Sequence, residues 1–259
     1  MGNNALATKA KKHVEYVEEN FRKDVSCCVD NTREYSSDVD TTVRENPNYE
    51  TRIDLVDSTS EDAIFEFYDG RTAVLNFASY KEPGGRFLKG SRAQEEMLCH
   101  SSTLYNVLRK FLTTFYTSNH DKLNKGFYNS NLLYSPKVIF FKGKQAKYCD
   151  VITCAAPNRY TLDRRGDITN EMLEEVLIDR IDHILFSAYD NKVDTLILGA
   201  FGCGAFRNSP RQVCRIFKNL LEGKYSGCFK NVIFAIPKGP NYITFRKVLR
   251  NGEEDSICL

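Results

Sequence analysis

Residues 75–105, LNFASYKEPGGRFLKGSRAQEEMLCHSSTLY, carry most of what this chain reveals about its fold. Val74, Leu75, Phe77 and Ala78 form a short apolar run after the polar turn Asp69-Gly70-Arg71, the length and setting of an interior strand. Pro83-Gly84-Gly85 ends that run. Adjacent glycines open backbone conformations closed to other residues and let amide groups approach a ligand, most usefully an anionic one; Gly90 adds another such point. From Gln94 onward Met97, Leu98, Leu104, Val107, Leu108, Phe111 and Leu112 recur at spacings of three and four. This predicts one helix, with Glu95 and Glu96 on its first turn.

Negative charge in a first helical turn is favoured by the helix dipole by roughly 0.3–1 kcal/mol, so position alone does not mark the two glutamates as functional. Their setting does. A strand that ends in Pro-Gly-Gly and returns nine residues later as Gln-Glu-Glu brings backbone donors and two carboxylates to the mouth of one strand. Clefts in α/β sheets open at such strand ends. Neighbouring helical residues point about 100° apart, so the two carboxylates take different tasks. One is placed to hold a substrate hydroxyl, the other to exchange a proton.

Working outward, Ala5 to about Phe21 favours a charged helix capped by Asn3 or Asn4. Residues 22–50 are polar and broken by turn signals, which predicts an N-terminal extension (1–50) lying on a domain that spans 51–259. Within the domain, Arg52 to Asp57 reads as a first strand, and Ser58 or Thr59 caps a helix through Ala63, Ile64 and Phe67. Thr113 to Pro136 reads as a surface excursion whose Tyr116, Tyr128 and Tyr134 either rim a site or pack onto the body. Strands follow at Lys137–Phe141, Tyr148–Ala156, Thr195–Leu198 and Asn231–Ile236. Helices fall between them at Ile168–Tyr189, after the charged loop Arg159–Asp167, and through Val213 to Leu221. Strands alternating with helices predict a largely parallel or mixed sheet sandwiched by helices.

A second glycine loop, Gly199-Ala200-Phe201-Gly202-Cys203-Gly204-Ala205-Phe206, joins a strand to a helix that begins near Ser209-Pro210. Such a turn lets amides and a helix N-terminus face a phosphate, although glycines at strand ends often serve the turn alone. It matches neither the P-loop nor the dinucleotide-binding fingerprint. Phe201 and Phe206 either stack on a ribose or base or belong to the core. Two glycine loops at two strand ends, one with carboxylates, point to a ligand with both phosphate and sugar.

Composition excludes several classes. Of 259 residues, 42% are hydrophobic and 27% charged, as in ordinary globular proteins. A net charge of +2 gives no support for broad binding of nucleic acid. Nine cysteines without a C-x-x-C pair read as reduced thiols of an intracellular protein, cytoplasmic or nuclear, rather than as a metal site. No run approaches the roughly 18 apolar residues of a membrane span, and no hydrophobic signal core opens the chain. Met1-Gly2 lacks the Ser or Thr of a myristoylation site, with Leu6 in that place, and Cys258-Leu259 has its cysteine misplaced for prenylation.

LNFASYKEPGGRFLKGSRAQEE resembles the signature loop of the microbial-type poly(ADP-ribose) glycohydrolases, a branch of the macrodomain fold whose pattern is three glycines, a short spacer and Gln-Glu-Glu. LILGAFGCGAFRNSP resembles the family's diphosphate-binding loop and VITCAAPN the strand before it, in register from about Thr51 to Pro237 and more loosely through the N-terminal helix. The resemblance implies a macrodomain-like three-layer α/β/α sandwich with a mixed central sheet, and hydrolysis of ribose–ribose O-glycosidic bonds in poly(ADP-ribose) to release ADP-ribose. It makes Glu96 the catalytic acid and base, has Glu95 hold the distal ribose hydroxyls, and has Gln94 support the loop. Gly84 and Gly85 would face the distal ribose and diphosphate, Asn76 would be a further ligand-binding residue, Gly202, Cys203, Gly204 and Ala205 would wrap the diphosphate, and Phe206 would lie against a ribose. The implied partners are poly(ADP-ribose) or ADP-ribosylated targets, with no membrane, no sequence-specific nucleic acid, and no cofactor or metal required by the scheme.

The chain departs from the pattern at two places: Arg86 replaces the third glycine, and Glu82 stands where asparagine is usual. An arginine there fills the ribose pocket, stiffens the loop or pairs with the diphosphate. A reader of ADP-ribose without turnover and a mono-ADP-ribosyl hydrolase are the alternatives. Asp57 and the segment after it are the expected adenine side by position.

Overall fold

A computed structural model describes residues 2–121, 124–164 and 168–250. Met1, Asp167 and the Cys258-Leu259 terminus lie outside them. The described elements run α1 (Asn3–Asn20), α2 (Arg22–Asn31), β1 (Arg33–Tyr35), β2 (Arg52–Val56), α3 (Ser60–Glu66), β3 (Thr72–Phe77), α4 (Gln94–His100), α5 (Leu104–Leu108), α6 (Thr117–Asp121), β4 (Leu132–Lys142), β5 (Gln145–Cys154), α7 (Arg159–Leu162), α8 (Asn170–Asp190), β6 (Thr195–Leu198), α9 (Pro210–Glu222), β7 (Asn231–Ala235) and α10 (Pro240–Arg250). Seven strands form one sheet in the order β1-β4-β5-β3-β6-β7-β2. Five of them, from β5 to β2, are mutually parallel; β4 pairs antiparallel with β5, and β1 pairs antiparallel with β4.

Alternation along the strands builds the three layers. Leu75, Leu196, Leu198, Val232 and Phe234 pack into a core with Leu177, Ile181 and Ile184 of α8 and Val213 and Phe217 of α9. Val74, Ile197 and Ile233, one residue out of phase, face a second core with Ala10, Val14 and Val17 of α1, Ile64 of α3, Leu98 of α4 and Val107 of α5. The pleat therefore fixes which helices cover which face. Thr59 caps α3, its hydroxyl accepting from the Asp62 amide, as the sequence offered, and Ser209 caps α9 the same way on Gln212, at the helix start read near Ser209-Pro210. Among the described residues no helix is long and apolar enough to cross a membrane.

Several expectations are corrected. Asn3 and Asn4 sit inside α1, whose N-cap is Gly2, without a side-chain cap. The stretch 22–35 is not irregular: α2 buries Val25 and Cys28, and β1 pairs with β4 through Arg33–Tyr134 and Tyr35–Leu132. The helix predicted from Gln94 to Leu112 breaks at Ser101–Thr103, because those residues bond instead to β4. Phe141 N–H donates to Ser101 O (2.7 Å), Thr103 N–H donates to Ile139 O (3.0 Å), and Ser102 bridges Phe140. The supposed excursion before Pro136 is partly strand. β4 starts at Leu132 and passes Pro136 through a register shift, with Lys137 left-handed at φ 56° and its amide donating to Asp150 Oδ1 at 2.8 Å. Tyr116 and Tyr134 are buried, not rim residues, while Tyr128 is half-buried. Helix α10 had no counterpart in the sequence reading.

The N-terminal segment completes both the sheet and one core. Gly90 lies so close to α1 that an added Cβ would stand 2.0 Å from Asn3 O. A chain beginning at Thr51 should therefore expose Phe87, Leu98, Leu104 and Val107 and lose its edge strand. We expect insoluble protein, or a non-cooperative melt by circular dichroism; a soluble, cooperatively unfolding 51–259 fragment would contradict this packing.

Candidate active site

The carboxyl ends of β3, β5, β6 and β7 open onto a cavity of about 980 Å3, lined by both glycine loops and by the starts of α3 and α10. On one wall, Gln94 staples α4 to the end of β3. Its Nε2 donates to Leu75 O (2.7 Å) and Ser60 Oγ (3.1 Å), and its Oε1 accepts from Phe77 N–H (2.9 Å). All three bonds demand an amide side chain, which both donates and accepts. With α4 so placed, its first turn carries Glu95 and Glu96 to the cavity wall at 3% and 5% exposure.

The two carboxylates are held differently. Glu95 Oε2 accepts from Ser79 N–H (2.7 Å) and Oε1 from Asn76 Nδ2 (3.3 Å), and the Gly84 amide also bonds this carboxylate. Burial nevertheless pushes the Glu95 carboxyl up to about 8; the nearby Glu96 charge adds to the rise and the donors oppose it. Glu96 Oε1 accepts from Arg86 N–H (2.9 Å), whereas its Oε2 is buried with no hydrogen-bond partner among the described residues.

Both carboxylates press on Gly85. An added Cβ would lie 2.7 Å from Glu96 Oε1 and 2.9 Å from Glu95 Oε2, at a backbone φ of 57°. Glycine is required there on both counts. Gly84 is also left-handed but lies behind the wall, against Tyr105 and Cys99. Asn76 likewise is fully buried beneath Glu95 and bonds Thr153 Oγ1 as well (3.3 Å). Arg86, at the expected third glycine, has φ −101°, open to any residue; its side chain is exposed at the cavity, and its amide serves Glu96 whatever the side chain. Glu82 is exposed and 3.8 Å from Lys89.

The opposite wall is the second loop. Gly202, Gly204, Ala205 and Phe206 line the cavity. Gly202 is left-handed at φ 69° and packed against Asn208 Nδ2 and Ala156, while Gly204 has open space around it. Cys203 turns inward, its Sγ 3.5 Å from Phe201 O, and burial raises its thiol to about 12, so the side chain takes no part in the wall. Phe201 is fully buried and meets Phe77 edge-on at 5.9 Å. Both phenylalanines line the cavity, Phe201 as part of the core beneath its floor and Phe206 as the more exposed of the two.

Three groups escaped the sequence reading. Ser79 gives its amide to Glu95, which no side-chain pattern reveals, and its hydroxyl accepts from the Lys81 and Glu82 amides of the loop (3.3 and 3.2 Å). Asn208 braces the second loop, its Nδ2 donating to Pro157 O (2.9 Å) and Gly202 O (3.2 Å). Glu61 lines the cavity from the first turn of α3, its carboxyl raised by burial; its place after a strand end repeats that of Glu95 and was the available signal. Asp57 accepts from the Lys238 amide (2.8 Å) and pairs with its side chain, and Thr59, Ser60 and Glu61 of the segment after it line the cavity. Among the described residues no group of His, Cys, Asp and Glu is arranged to hold a metal ion.

Gly85→Ala should destabilise the protein by about 1–2 kcal/mol from the left-handed backbone alone, with more from the displaced carboxylates. Arg86→Gly should stay within about 1 kcal/mol, the usual entropic cost of glycine. Urea unfolding of the two variants checks this; the reverse ranking would contradict the geometry.

The family profile described as microbial-type PARG, catalytic domain, matches residues 5–143, more than half of the chain, including α2 and all of α1 but its first two residues. The crystal structure of poly(ADP-ribose) glycohydrolase from Thermomonospora curvata superposes with a TM-score of 0.87 at 31% identity, covering 95% of this chain and 99% of that one. The same protein bound to the inhibitor ADP-HPD gives 0.84 at 31% identity, over 94% and 99%. Poly(ADP-ribose) glycohydrolase from Deinococcus radiodurans in complex with ADP-ribose gives 0.81 at 29% identity, over 88% and 97%. No curated protein sequence matches the chain. A Gln-Glu-Glu helix start facing a glycine loop, on a sheet shared over nearly the whole chain, is thus accounted for by descent: this chain belongs to the family of microbial-type poly(ADP-ribose) glycohydrolase (PARG) catalytic domains.

Proposed function

We propose that this chain hydrolyses the ribose–ribose O-glycosidic bonds of poly(ADP-ribose), releasing ADP-ribose, with Glu96 as general acid and then base. The observation that carries the assignment is the asymmetry of the Glu96 carboxylate. One oxygen is fixed by the Arg86 amide at 2.9 Å, and the other lies unpartnered at the cavity wall, left to deliver a proton. Cleaving a ribosyl bond builds an oxocarbenium-like centre, and protonation of the departing oxygen lowers that barrier. Water then attacks the same carbon while the ionised carboxylate takes its proton.

Glu95, anchored by Ser79, Asn76 and Gly84, is the group that orients the distal ribose hydroxyls. The diphosphate lies along Gly202, Gly204 and Ala205, and Phe206 abuts a ribose. The Arg86 guanidinium reaches the same cavity with no hydrogen bond or ion pair to the described protein, so it is available to the diphosphate. The ADP-ribose and ADP-HPD complexes of the two bacterial relatives support a ligand of this class. The Arg86 departure does not argue for a reader without turnover, because the bond to Glu96 comes from the backbone. Eight free thiols among the described residues suit a reducing compartment, cytoplasmic or nuclear.

The test is product analysis on automodified poly(ADP-ribose), with ADP-ribose binding titrated on the same sample. Glu96→Gln should lower release by roughly 10²–10⁴-fold, the usual contribution of a general acid, while binding stays near that of the parent. An active Glu96→Gln protein would refute the assignment; binding without release by the parent chain would make it a reader; and release from singly modified targets alone would make it a mono-ADP-ribosyl hydrolase.

A further inference from the structure

Arg180 of α8 is the bulkiest of the fully buried side chains, 1% exposed, and among the described residues it has no ion pair. Its acceptors are neutral. Nη1 donates to Ala155 O, Nη2 to Phe127 O (3.1 Å) and Nε to Ser130 Oγ (3.3 Å). The nearest acid, Asp179, reaches it through the Ser130 hydroxyl and is itself half exposed. A cation buried without a directly bonded carboxylate is costly, and its bonds, which include one to the Cys154 side chain at the end of β5, place it at a junction rather than in bulk core.

That junction lies behind the second wall of the cavity. Ala155 precedes Ala156, which packs against Gly202. Phe127 and Ser130 bracket Tyr128 and Asn129. Tyr128 is held in the left-handed region at φ 65°, unfavourable for a bulky residue, and stacks on Tyr80 with centroids 4.0 Å apart and planes 11° from parallel. The Asn129 amide donates to Tyr80 Oη (3.3 Å), and Tyr128 faces Phe206 at 6.4 Å. One planar fork therefore ties the end of β5 to the 127–130 turn, and these two pieces abut the cavity residues Gly202 and Phe206. A three-way fork of this kind suits guanidinium and not ammonium geometry.

We propose that Arg180 is a positioning residue for the diphosphate half of the ligand: its fork sets Gly202 through Ala155–Ala156 and Phe206 through the Tyr80–Tyr128 stack, and its buried charge favours a dianion at that wall. The proposal rests on the ADP-ribose reading of the cavity. It does not need turnover. Burial also disfavours the charged form of Arg180, so an anion across the wall relieves the buried cation, in surroundings where charges interact strongly.

The experiment compares the parent, Arg180→Lys and Ser130→Ala by titration with ADP-ribose and with adenosine, which lacks the diphosphate, and by kcat and KM on poly(ADP-ribose). For Arg180→Lys, the ADP-ribose Kd and the KM should rise together by about tenfold, with kcat within about threefold because α4 is untouched. Adenosine binding should hardly move. Ser130→Ala, which removes one arm of the fork, should show the same pattern at about threefold. A merely structural arginine would lower the melting temperature and the active fraction while leaving Kd of the folded protein unchanged, and that result overturns the proposal. Should Arg180→Lys fail to fold, Ser130→Ala decides alone: an unchanged ADP-ribose Kd refutes it. A parent chain that binds but does not hydrolyse defeats the glycohydrolase reading and leaves this test intact; a parent that does not bind ADP-ribose defeats both.

Discussion

Two carboxylates kept out of water and held by backbone amides are the constraint around which this structure is arranged. Glu95 takes amides from Ser79 and Gly84, Glu96 takes the amide of Arg86, and the loop that supplies the amides of residues 84 and 86 has Gly85 between them, where any side chain would collide with both acids. Backbone donors pointed at a fixed place cost no reorganisation during a reaction, which is what a preorganised site requires. Burial makes the arrangement expensive as well as useful. A carboxyl raised from 4.5 to about 8 keeps its proton in the folded protein where the unfolded chain has lost it. The contribution of Glu95 to stability therefore declines as pH rises from about 4.5 to about 8.

The rest of the fold bears that expense. Gln94 locks α4 to the central strand, and α1 lies directly on Gly90 at the far end of the same loop, so the N-terminal helices close the loop from behind. Across the cavity the second loop is braced from two sides, by Asn208 on Pro157 and by the Arg180 junction on Ala155. One wall thus carries two buried carboxyl groups on amides, and the other offers glycine backbone with a cation behind it. This polarity suits a ligand whose sugar end reacts and whose diphosphate end is held.

The sequence disclosed what local pattern encodes and little of what distant pairing decides. β3, the Gln-Glu-Glu turn, the Thr59 cap, the helix start near Ser209-Pro210 and the two glycine loops are each written in a few consecutive residues. The break at Ser101–Thr103 is not, because it exists only to let those residues bond to β4, some 40 positions away in the chain. The start of β4 was hidden by Pro136, a strand breaker that the bulge accommodates, and α2 and β1 by their polar outer faces. Within the site, pattern named Gly84, Gly85 and Cys203 alike, yet only Gly85 faces the cavity. Whether a loop residue points in or out depends on the partner across it. Arg180 was invisible for the same reason, since a charged residue on an amphipathic helix normally faces water.

The loop around Gly85 holds the acid pair in a desolvated pocket, and the carboxyl carbon of Glu95 reports on it directly. Titrated by 13C NMR in protein labelled at glutamate side chains and assigned against Glu95→Gln, its midpoint should fall near 8. A midpoint near the ordinary carboxylate value of 4.5 would show a hydrated, open loop and would contradict the account.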